Sequence, residues 1–395
     1  MRTALAAACL ALLAACQPDP NAGFKPLFNA NDFEGWVNVN CAPETWTIQD
    51  GVVSCTGKPI GALRTERQYE NFILEIEWRH LSEAGNSGVF VWGSPVNAPG
   101  VPFLRGIEVQ VLDNGYQKKA DPKKPKWFTT HGDIFPIHGA TMEPHGEHNG
   151  MRSFPSEERS RPSPDWNHYR IEANNGRITL AVNGKVVSGG DNCNYRKGYL
   201  ALESEGGPVE FRNGRIKELP STNAPAEQTA PVDPGWKSLY TGTDFRGWKV
   251  PAAGGDKWAS ADWQIQLKAG QTGPALWSEA EFGDCEVICD VFLPKGTDLS
   301  KPAAGLCLRG HSHPVVMFGQ GEAPVVLGAD RLKPGQWYRI QARLQGDQLQ
   351  VRVCEAAEAN PQTFEAKVDR NPRGSVGLAD LTQAVSYGNV LVREL

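Results

Sequence analysis

Short segments in which apolar and polar residues alternate recur along the chain and predict β-strands. Residues 72–78 read FILEIEW, so four apolar side chains share one face and two glutamates the other. Residues 178–182 alternate in the same way and lead into Asn183-Gly184, the strongest short signal for a hairpin turn. Turns separate these segments, and no helical stretches lie between them. This pattern is typical of an antiparallel sandwich or jelly roll. The chain is therefore predicted to be all-β.

The same opening occurs twice, at a constant offset. Residues 24–36 read FKPLFNANDFEGW, and residues 236–248 read WKSLYTGTDFRGW. The endings also correspond, since residues 198–219 and 374–395 have the same length and share an asparagine and a final Glu-Leu. An internal repeat of this kind predicts two domains of one fold.

The domain limits follow from this repeat and from the stretch between the copies. Residues 220–234 read PSTNAPAEQTAPVDP, a Pro/Ala/Thr-rich linker without apolar periodicity. We therefore expect a first domain at residues 24–219 and a second at residues 235–395.

The N-terminus has the pattern of an export signal. Residues 1–15 combine Arg2 with an apolar run too short to span a bilayer, and the run ends in LAAC at Cys16. This ending resembles a bacterial lipobox, which implies cleavage before Cys16 and lipidation of that cysteine. Gln17 after the cysteine suggests the outer membrane by analogy with other lipoproteins. The alternative is an ordinary secretory signal cut at an Ala-x-Ala site. Both place the protein in or beyond the cell envelope.

Composition narrows the function classes. The formal net charge of −5 argues against a basic nucleic-acid binder, and the first 16 residues contain the only stretch that could enter a membrane. The 42 glycines and 29 prolines agree with a chain rich in turns. Seven cysteines remain after Cys9 and Cys16, and we expect them to be structural, with Cys41 and Cys55 close enough in sequence to pair.

Candidate chemistry is concentrated in the first domain. Glu108 and Gln110 share one face of the predicted strand 106–114, where a carboxylate and an amide can hold sugar hydroxyls or a cation, and Asp113 follows at its end. Phe90 and Trp92 alternate with valines, so they are expected either to face outwards or line a groove as platforms for sugar rings, or to be covered by a second sheet.

Further polar candidates lie in loops and late strands. Asp133 and His138 stand among apolar residues in a Gly/Pro-rich loop and are expected to be buried and positioned, whereas His145 and His148 are expected to be solvated. Glu203 alternates with apolar residues in a later strand. Its counterpart in the second copy is Ala379, which favours activity in the first domain and a degenerate second one.

Several of these segments together resemble one family. The residues are LFN at 27–29, NSG at 86–88, GIEVQVLDN at 106–114, WN at 166–167, NG at 183–184 and VEFRN at 209–213. They resemble the 3-keto-disaccharide hydrolase domain family over nearly all of the first domain. The resemblance implies two concanavalin A-like jelly-roll sandwich domains in tandem, the second degenerate. It also implies cleavage of 3-keto-disaccharides or other 3-keto-glycosides, by hydrolysis or by elimination and then hydration.

This chemistry needs a base for the C2 proton, an acid and a stabiliser of the enolate. The base would be His138 or Glu108 and its partner Asp133 or Glu203. Asn86, Gln110 and Arg212 would hold hydroxyls or the oxyanion. A divalent cation on Glu108, with His138 as a possible further ligand, could replace the oxyanion stabiliser; no cofactor is certain.

Three hypotheses therefore remain. The first is a lipid-anchored enzyme acting on oxidised saccharides. The second is a carbohydrate-binding lipoprotein of the same fold without turnover, and the third a purely structural envelope protein.

Overall fold

A computed structural model describes residues 21–119, 127–356, 360–369 and 371–395, so Cys16 and the leader lie outside the described residues. These ranges form four sheets paired into two sandwiches, which confirms the prediction of tandem all-β domains. The helices in them are single 3₁₀ turns or little more: Pro43–Thr45, Asn114–Lys119, Ala226–Gln228 and Gly255–Lys257. None of these described helices is long and apolar enough to cross a membrane.

The strands of the first sandwich are short and joined by turns. In chain order they are β1 (Lys25–Pro26), β2 (Trp36–Val39), β3 (Trp46–Gln49), β4 (Val52–Cys55), β5 (Gly61–Thr65), β6 (Phe72–His80), β7 (Asn86–Gly93), β8 (Gly106–Leu112), β9 (Ile134–Ile137), β10 (Thr141–Pro144), β11 (His148–Asn149), β12 (Arg152–Ser153), β13 (Asn167–Asn174), β14 (Arg177–Val182), β15 (Lys185–Asn194), β16 (Tyr199–Ser204) and β17 (Val209–Glu218).

Two antiparallel sheets face each other in this sandwich. Sheet one has the order β10-β15-β14-β13-β6-β17-β4-β3, with β1 added beside β17; sheet two has the order β11-β12-β9-β8-β7-β16-β5-β2. In β6 buried and half-buried residues alternate strictly, so its apolar face points into the core as the sequence predicts. Phe72, Trp78, Tyr169 and Phe211 fill that core.

Trp92 belongs to this core, and its prediction as an outward platform is wrong. Its ring packs edge-on against Phe72, and its Nε1 donates to the Glu70 carbonyl at 2.8 Å. The alternation fails because Trp92 has a left-handed φ of 55° and the pairing of β7 with β16 shifts register between Tyr199 and Ala201. The irregularity turns the last side chain of β7 to the opposite face.

The second sandwich repeats this arrangement. Its strands are β18 (Lys237–Ser238), β19 (Trp248–Lys249), β20 (Trp258–Ala261), β21 (Gln264–Leu267), β22 (Gly273–Phe282), β23 (Cys285–Leu293), β24 (Pro302–Cys307), β25 (Val316–Gly319), β26 (Val325–Leu327), β27 (Gln336–Gln345), β28 (Gln348–Glu355), β29 (Gln362–Lys367), β30 (Gly374–Asp380) and β31 (Val385–Glu394). Sheet three has the order β20-β21-β31-β23-β27-β28-β29 with β18 beside β31, and sheet four β19-β22-β30-β24-β25-β26. These orders correspond to sheets one and two. The exact domain limits and the degeneracy of the second copy stay predictions.

Buried polar groups join the two sandwiches in what we call the interdomain clasp: Asn40, Asn97, Asp290, Arg339 and Asn389. Asn389 donates to Asp290 at 2.6 Å and accepts from Asn40 at 2.5 Å. Arg339 holds Asp290 through two nitrogens, at 2.7 and 2.9 Å, and donates to the Asn97 carbonyl at 2.8 Å. Because each group is paired across the seam, separating the domains would break several buried hydrogen bonds at once.

The described cysteines are all free thiols. Cys41 and Cys55 therefore do not form the disulfide that the sequence allows. Both are buried, and burial raises the pKa of the Cys55 thiol to about 11, so this thiol stays protonated and unreactive at neutral pH.

Candidate active site

Three neighbouring strands of sheet two place the predicted carboxylates on its outer face. In the pairing of β7 with β8, Phe90 lies opposite Glu108 and Gly88 opposite Gln110. In the pairing of β16 with β7, Leu202 lies opposite Val89, which brings Glu203 beside Gly88. Glu108, Gln110 and Glu203 are all at least 93% buried, so they do not face open solvent.

Gly88 is the position over which the two glutamates meet. A Cβ at Gly88 would lie 2.9 Å from Oε1 of Glu108 and 3.1 Å from Oε2 of Glu203. Both contacts are closer than van der Waals distance, so the absence of a side chain makes room for the two carboxyl groups. Oε2 of Glu203 is buried and has no hydrogen-bond partner among the described residues. Such an atom is an available contact for a ligand.

A third carboxyl group, Glu205, completes the cluster. Burial is the main cause that raises the pKa of Glu108 to about 8 and that of Glu205 to about 7. Burial and then the charge of Glu108 raise the pKa of Glu203 well above its ordinary value. Among the described residues Arg152 opposes the effect at Glu108, whereas no positive charge opposes it at Glu203. The cluster therefore retains protons near neutral pH.

A chain of hydrogen bonds runs beside these carboxyl groups from Asp133 to Glu205. Arg152 donates from Nε to Asp133 and from Nη2 to Gln110, each at 2.7 Å. Gln110 donates to Asn86 at 2.9 Å, and Asn86 donates to Glu205 at 2.5 Å. Each amide both accepts and donates, so its orientation is fixed. The buried Asp133 thus acts on the cluster by holding Arg152 in place.

The second domain reaches the same neighbourhood through Asp262. Its carboxylate accepts a hydrogen bond from the backbone N–H of Ile60 at 2.7 Å. The preceding carbonyl, of Pro59, accepts from the hydroxyl of Ser204 at 2.7 Å, and Ser204 lies between Glu203 and Glu205 in the chain. The charge of Asp262 also raises the pKa of Glu205. The two domains are therefore coupled at the carboxyl cluster.

The remaining predicted site residues lie elsewhere. Phe90 is on the face of Glu108 but is buried in an apolar cluster with Leu104 and Ala201, so it is not an open platform. Asp113 accepts from three backbone N–H groups, of Ala84, Gly115 and Ser163, and stabilises loops. These contacts account for Asp113 without a substrate, and its role in substrate binding stays a prediction.

Arg212 and His138 are also outside the cluster. Arg212 belongs to sheet one, where it pairs with Glu77 at 2.7 Å and stacks on Trp166, so it cannot act together with Glu108. His138 has a left-handed φ of 51°, stacks on Phe103, and lines a separate cavity between the domains. Its predicted role as the base is not supported by this position.

The described residues offer no ready metal centre. None of their His, Cys, Asp and Glu side chains forms a group of three or more that could hold a metal ion. The predicted pairing of Glu108 with His138 as ligands fails because His138 lines a cavity that does not include Glu108. No step is therefore assigned to a metal ion.

Sequence reasoning missed Arg152, Glu205 and Asp262. The spacing of Glu203 and Glu205 places both on one face of a strand and could have indicated Glu205. Arg152 lies in the short β12, where no periodic pattern is visible, and Asp262 is brought in by domain packing. Only the fold could bring the latter two to the site.

Comparison with known proteins finds one family model that matches the first domain. Residues 23–217 match the model of the 3-keto-alpha-glucoside-1,2-lyase-like domain. No curated protein matches the chain by sequence.

Solved structures similar to the chain include enzymes and a binding module. One is a candidate glycosyl hydrolase from Parabacteroides distasonis, at 22% identity and a TM-score of 0.40, covering 50% of this chain and 94% of its own. Another is the carbohydrate binding module CBM66 from Bacillus subtilis, at 13% identity and a TM-score of 0.33, covering 47% of this chain and 96% of its own. A third is SCLam, a non-specific endo-beta-1,3(4)-glucanase from family GH16, at 12% identity and a TM-score of 0.33, covering 50% of this chain and 92% of its own.

Proposed function

We propose that the first domain is a member of the 3-keto-alpha-glucoside-1,2-lyase-like domain family, whose model it matches, and that the protein cleaves 3-keto-glycosides by elimination. The supporting observation is the pair of buried carboxyl groups that converge over Gly88. Elimination beside a ketone requires one group to take a proton and another to give one, and two carboxyl groups with raised pKa values can divide these tasks.

The proposed reaction begins at the C2 proton, which the neighbouring C3 ketone makes acidic. Ionised Glu108 removes this proton, and the electron pair moves into an enolate. The enolate then forms the C1–C2 double bond while the bond between C1 and the leaving oxygen breaks, and protonated Glu203 gives its proton to that oxygen. The products are the free alcohol and an unsaturated 3-keto sugar. Addition of water across the new double bond would complete a net hydrolysis.

The division of roles follows from the charges around the two glutamates. Arg152 favours the ionised form of Glu108, as a base requires. Burial and the charges of Glu108 and Glu205 both favour the protonated form of Glu203 that an acid requires. The guanidinium of Arg152 also supplies positive charge where the enolate oxygen develops. Gln110 and Asn86 position Arg152 and Glu205.

The test is turnover of a 3-keto-disaccharide by the full chain without its leader. We expect release of the free sugar and of an unsaturated product, and none from the parent disaccharide, which lacks the acidic C2 proton. Glu108→Gln and Glu203→Gln should each lower kcat by about 10²-fold or more. Glu172→Gln, on the exposed face of β13, is the matched control and should be neutral.

Two outcomes would contradict the proposal. No turnover of any 3-keto-disaccharide, together with retained sugar binding, would favour the carbohydrate-binding alternative. Equal cleavage of the unoxidised disaccharide would replace elimination by ordinary glycoside hydrolysis. Adding a chelator to the wild-type assay checks that no metal ion contributes.

The proposal extends to an envelope location through lipidation of Cys16. Cys16→Ser should abolish labelling by radioactive palmitate and move the protein from the membrane fraction to the soluble fraction. An unchanged distribution would favour the alternative of an ordinary cleaved signal.

A further inference from the structure

The cavity lined by His138 lies between the two sandwiches, beyond the end of the strands that hold the carboxyl cluster. Its volume is about 610 Å³, within the range of about 300–1,000 Å³ that is usual for small-molecule sites. Arg105 directly precedes β8, which contains Glu108, and His138 directly follows β9. Arg339, Gln341 and Arg352 come from β27 and β28 of the second domain. Both domains therefore contribute polar side chains to one enclosure.

The charge of this cavity is positive. Three arginines line it, and no aspartate or glutamate does so among the described residues. Asp290 neutralises Arg339 through the interdomain clasp. Arg105 and Arg352 form no ion pair with any described residue. Two full positive charges are thus available in a space that an anion could enter.

Arg105 gives the more specific indication. Its guanidinium stacks on the ring of Tyr195, with the central carbon 3.9 Å from the ring centroid, so the group is held in one orientation. Its Nε is buried and has no hydrogen-bond partner among the described residues. An unsatisfied buried donor of this kind is unfavourable unless a ligand or water accepts from it. His138 and Phe103 stack in parallel, with centroids 5.8 Å apart, and stiffen the adjacent wall.

We propose that this interdomain cavity binds an anionic group, a carboxylate, sulfate or phosphate, attached to a saccharide. The anion accepts from Arg105 and Arg352, and the paired Arg339 with Gln341 shapes the second-domain wall. The saccharide part rests on the proposed function. The anion part rests on the cavity alone and stands even if the first site has another activity.

The cavity and the carboxyl cluster are linked by a short stretch of chain. Arg105 precedes Glu108 by three residues, which corresponds to roughly 10 Å along a strand. This spacing is longer than one sugar unit. A substrate with its keto unit at the carboxyl cluster would therefore present an acidic group further along the saccharide to the cavity.

The test is binding to the full chain by titration calorimetry at low ionic strength, with glucuronate, inorganic sulfate and inorganic phosphate as separate probes and glucose as the neutral control. We expect saturable binding of at least one anion and none of glucose. Arg352→Met, at an exposed position that should not disturb folding, and Arg105→Met should each weaken the affinity by about tenfold or more. Arg373→Met, on an exposed arginine paired with Glu394, should have no effect.

The outcomes separate this proposal from that on catalysis. Glu108→Gln should abolish turnover and leave anion binding unchanged, so a failed activity assay does not decide the binding test. Whichever anion binds most tightly identifies the chemical source. Absence of binding by all three anions, equal binding of glucose, or unchanged affinity in the Arg105→Met/Arg352→Met double variant would overturn the proposal.

Discussion

The substitution Gly88→Ala tests whether Glu108 and Glu203 act as a pair. The added methyl group would lie 2.9 Å from Oε1 and 3.0 Å from Cγ of Glu108, and 3.1 Å from Oε2 of Glu203. At least one carboxyl group must therefore move. Overpacking of this kind costs about 1–3 kcal/mol. Gly88 has no left-handed φ, so the loss of unfolded-state entropy returns about 0.4–1 kcal/mol. The fold should persist with a small loss of stability.

Activity should fall far more than stability. A displacement of about 1 Å at reacting groups can lower the rate by about 10²-fold. The assay is kcat/KM on a 3-keto-disaccharide across pH, together with urea unfolding of the same samples. Gly283→Ala is the matched control, because its Cβ would meet only ordinary contacts at 3.8 Å or more. A Gly88→Ala protein with kcat/KM and pH profile within about threefold of the wild type would refute the paired role of the two carboxyl groups.

Three further predictions concern stability and pH. The pKa of Glu108 is raised in the folded protein from its ordinary value of 4.5 to about 8. Its contribution to folding stability is therefore present below pH 4.5 and is lost as the pH rises through 8. Urea unfolding should show that Glu108→Gln gains stability relative to the wild type over this interval, and a constant difference between the two proteins would contradict the assignment. Burial and the charge of Asp262 raise the pKa of Glu205, so Asp262→Asn should lower the pKa of Glu205 measured by NMR titration of its carboxyl group, while Asp256→Asn, in an exposed 3₁₀ turn, should leave it unchanged. Trp92→Ala should destabilise the fold by about 3–5 kcal/mol, measured by denaturant unfolding, because this ring fills the core; a lowered affinity for sugar with unchanged stability would restore the platform role.

The sequence predicted the fold class and the central carboxyl groups because both depend on local periodicity. Alternation in the segment of Glu108 and Gln110 placed them on one face, and the same reasoning placed Glu203. The same reasoning fails for Trp92, because a register shift reverses the alternation of side chains at that point. Arg212 was assigned to the site although its strand is in the other sheet, a fact that only strand order reveals.

The same limit applied to the loop residues. His138 and Asp133 are both expected to be buried and positioned. Asp133 is buried and holds Arg152, whereas His138 is exposed and lines the interdomain cavity. Their separation depends on how the loop after β8 crosses the sheet, and this path has no signature in the pattern of apolar residues.

The interdomain clasp also bears on how this protein can change during evolution. Hydrogen bonds across the clasp join Asn389, Asp290 and Arg339 of the second domain to Asn40, Asn97 and neighbouring backbone groups of the first. A mutation at the clasp in one domain therefore leaves buried polar groups of the other domain without their partners. A second domain that bound nothing of its own would still be under purifying selection at the clasp. Its loops far from the seam would be free to diverge, and sequence comparison among relatives should show this contrast.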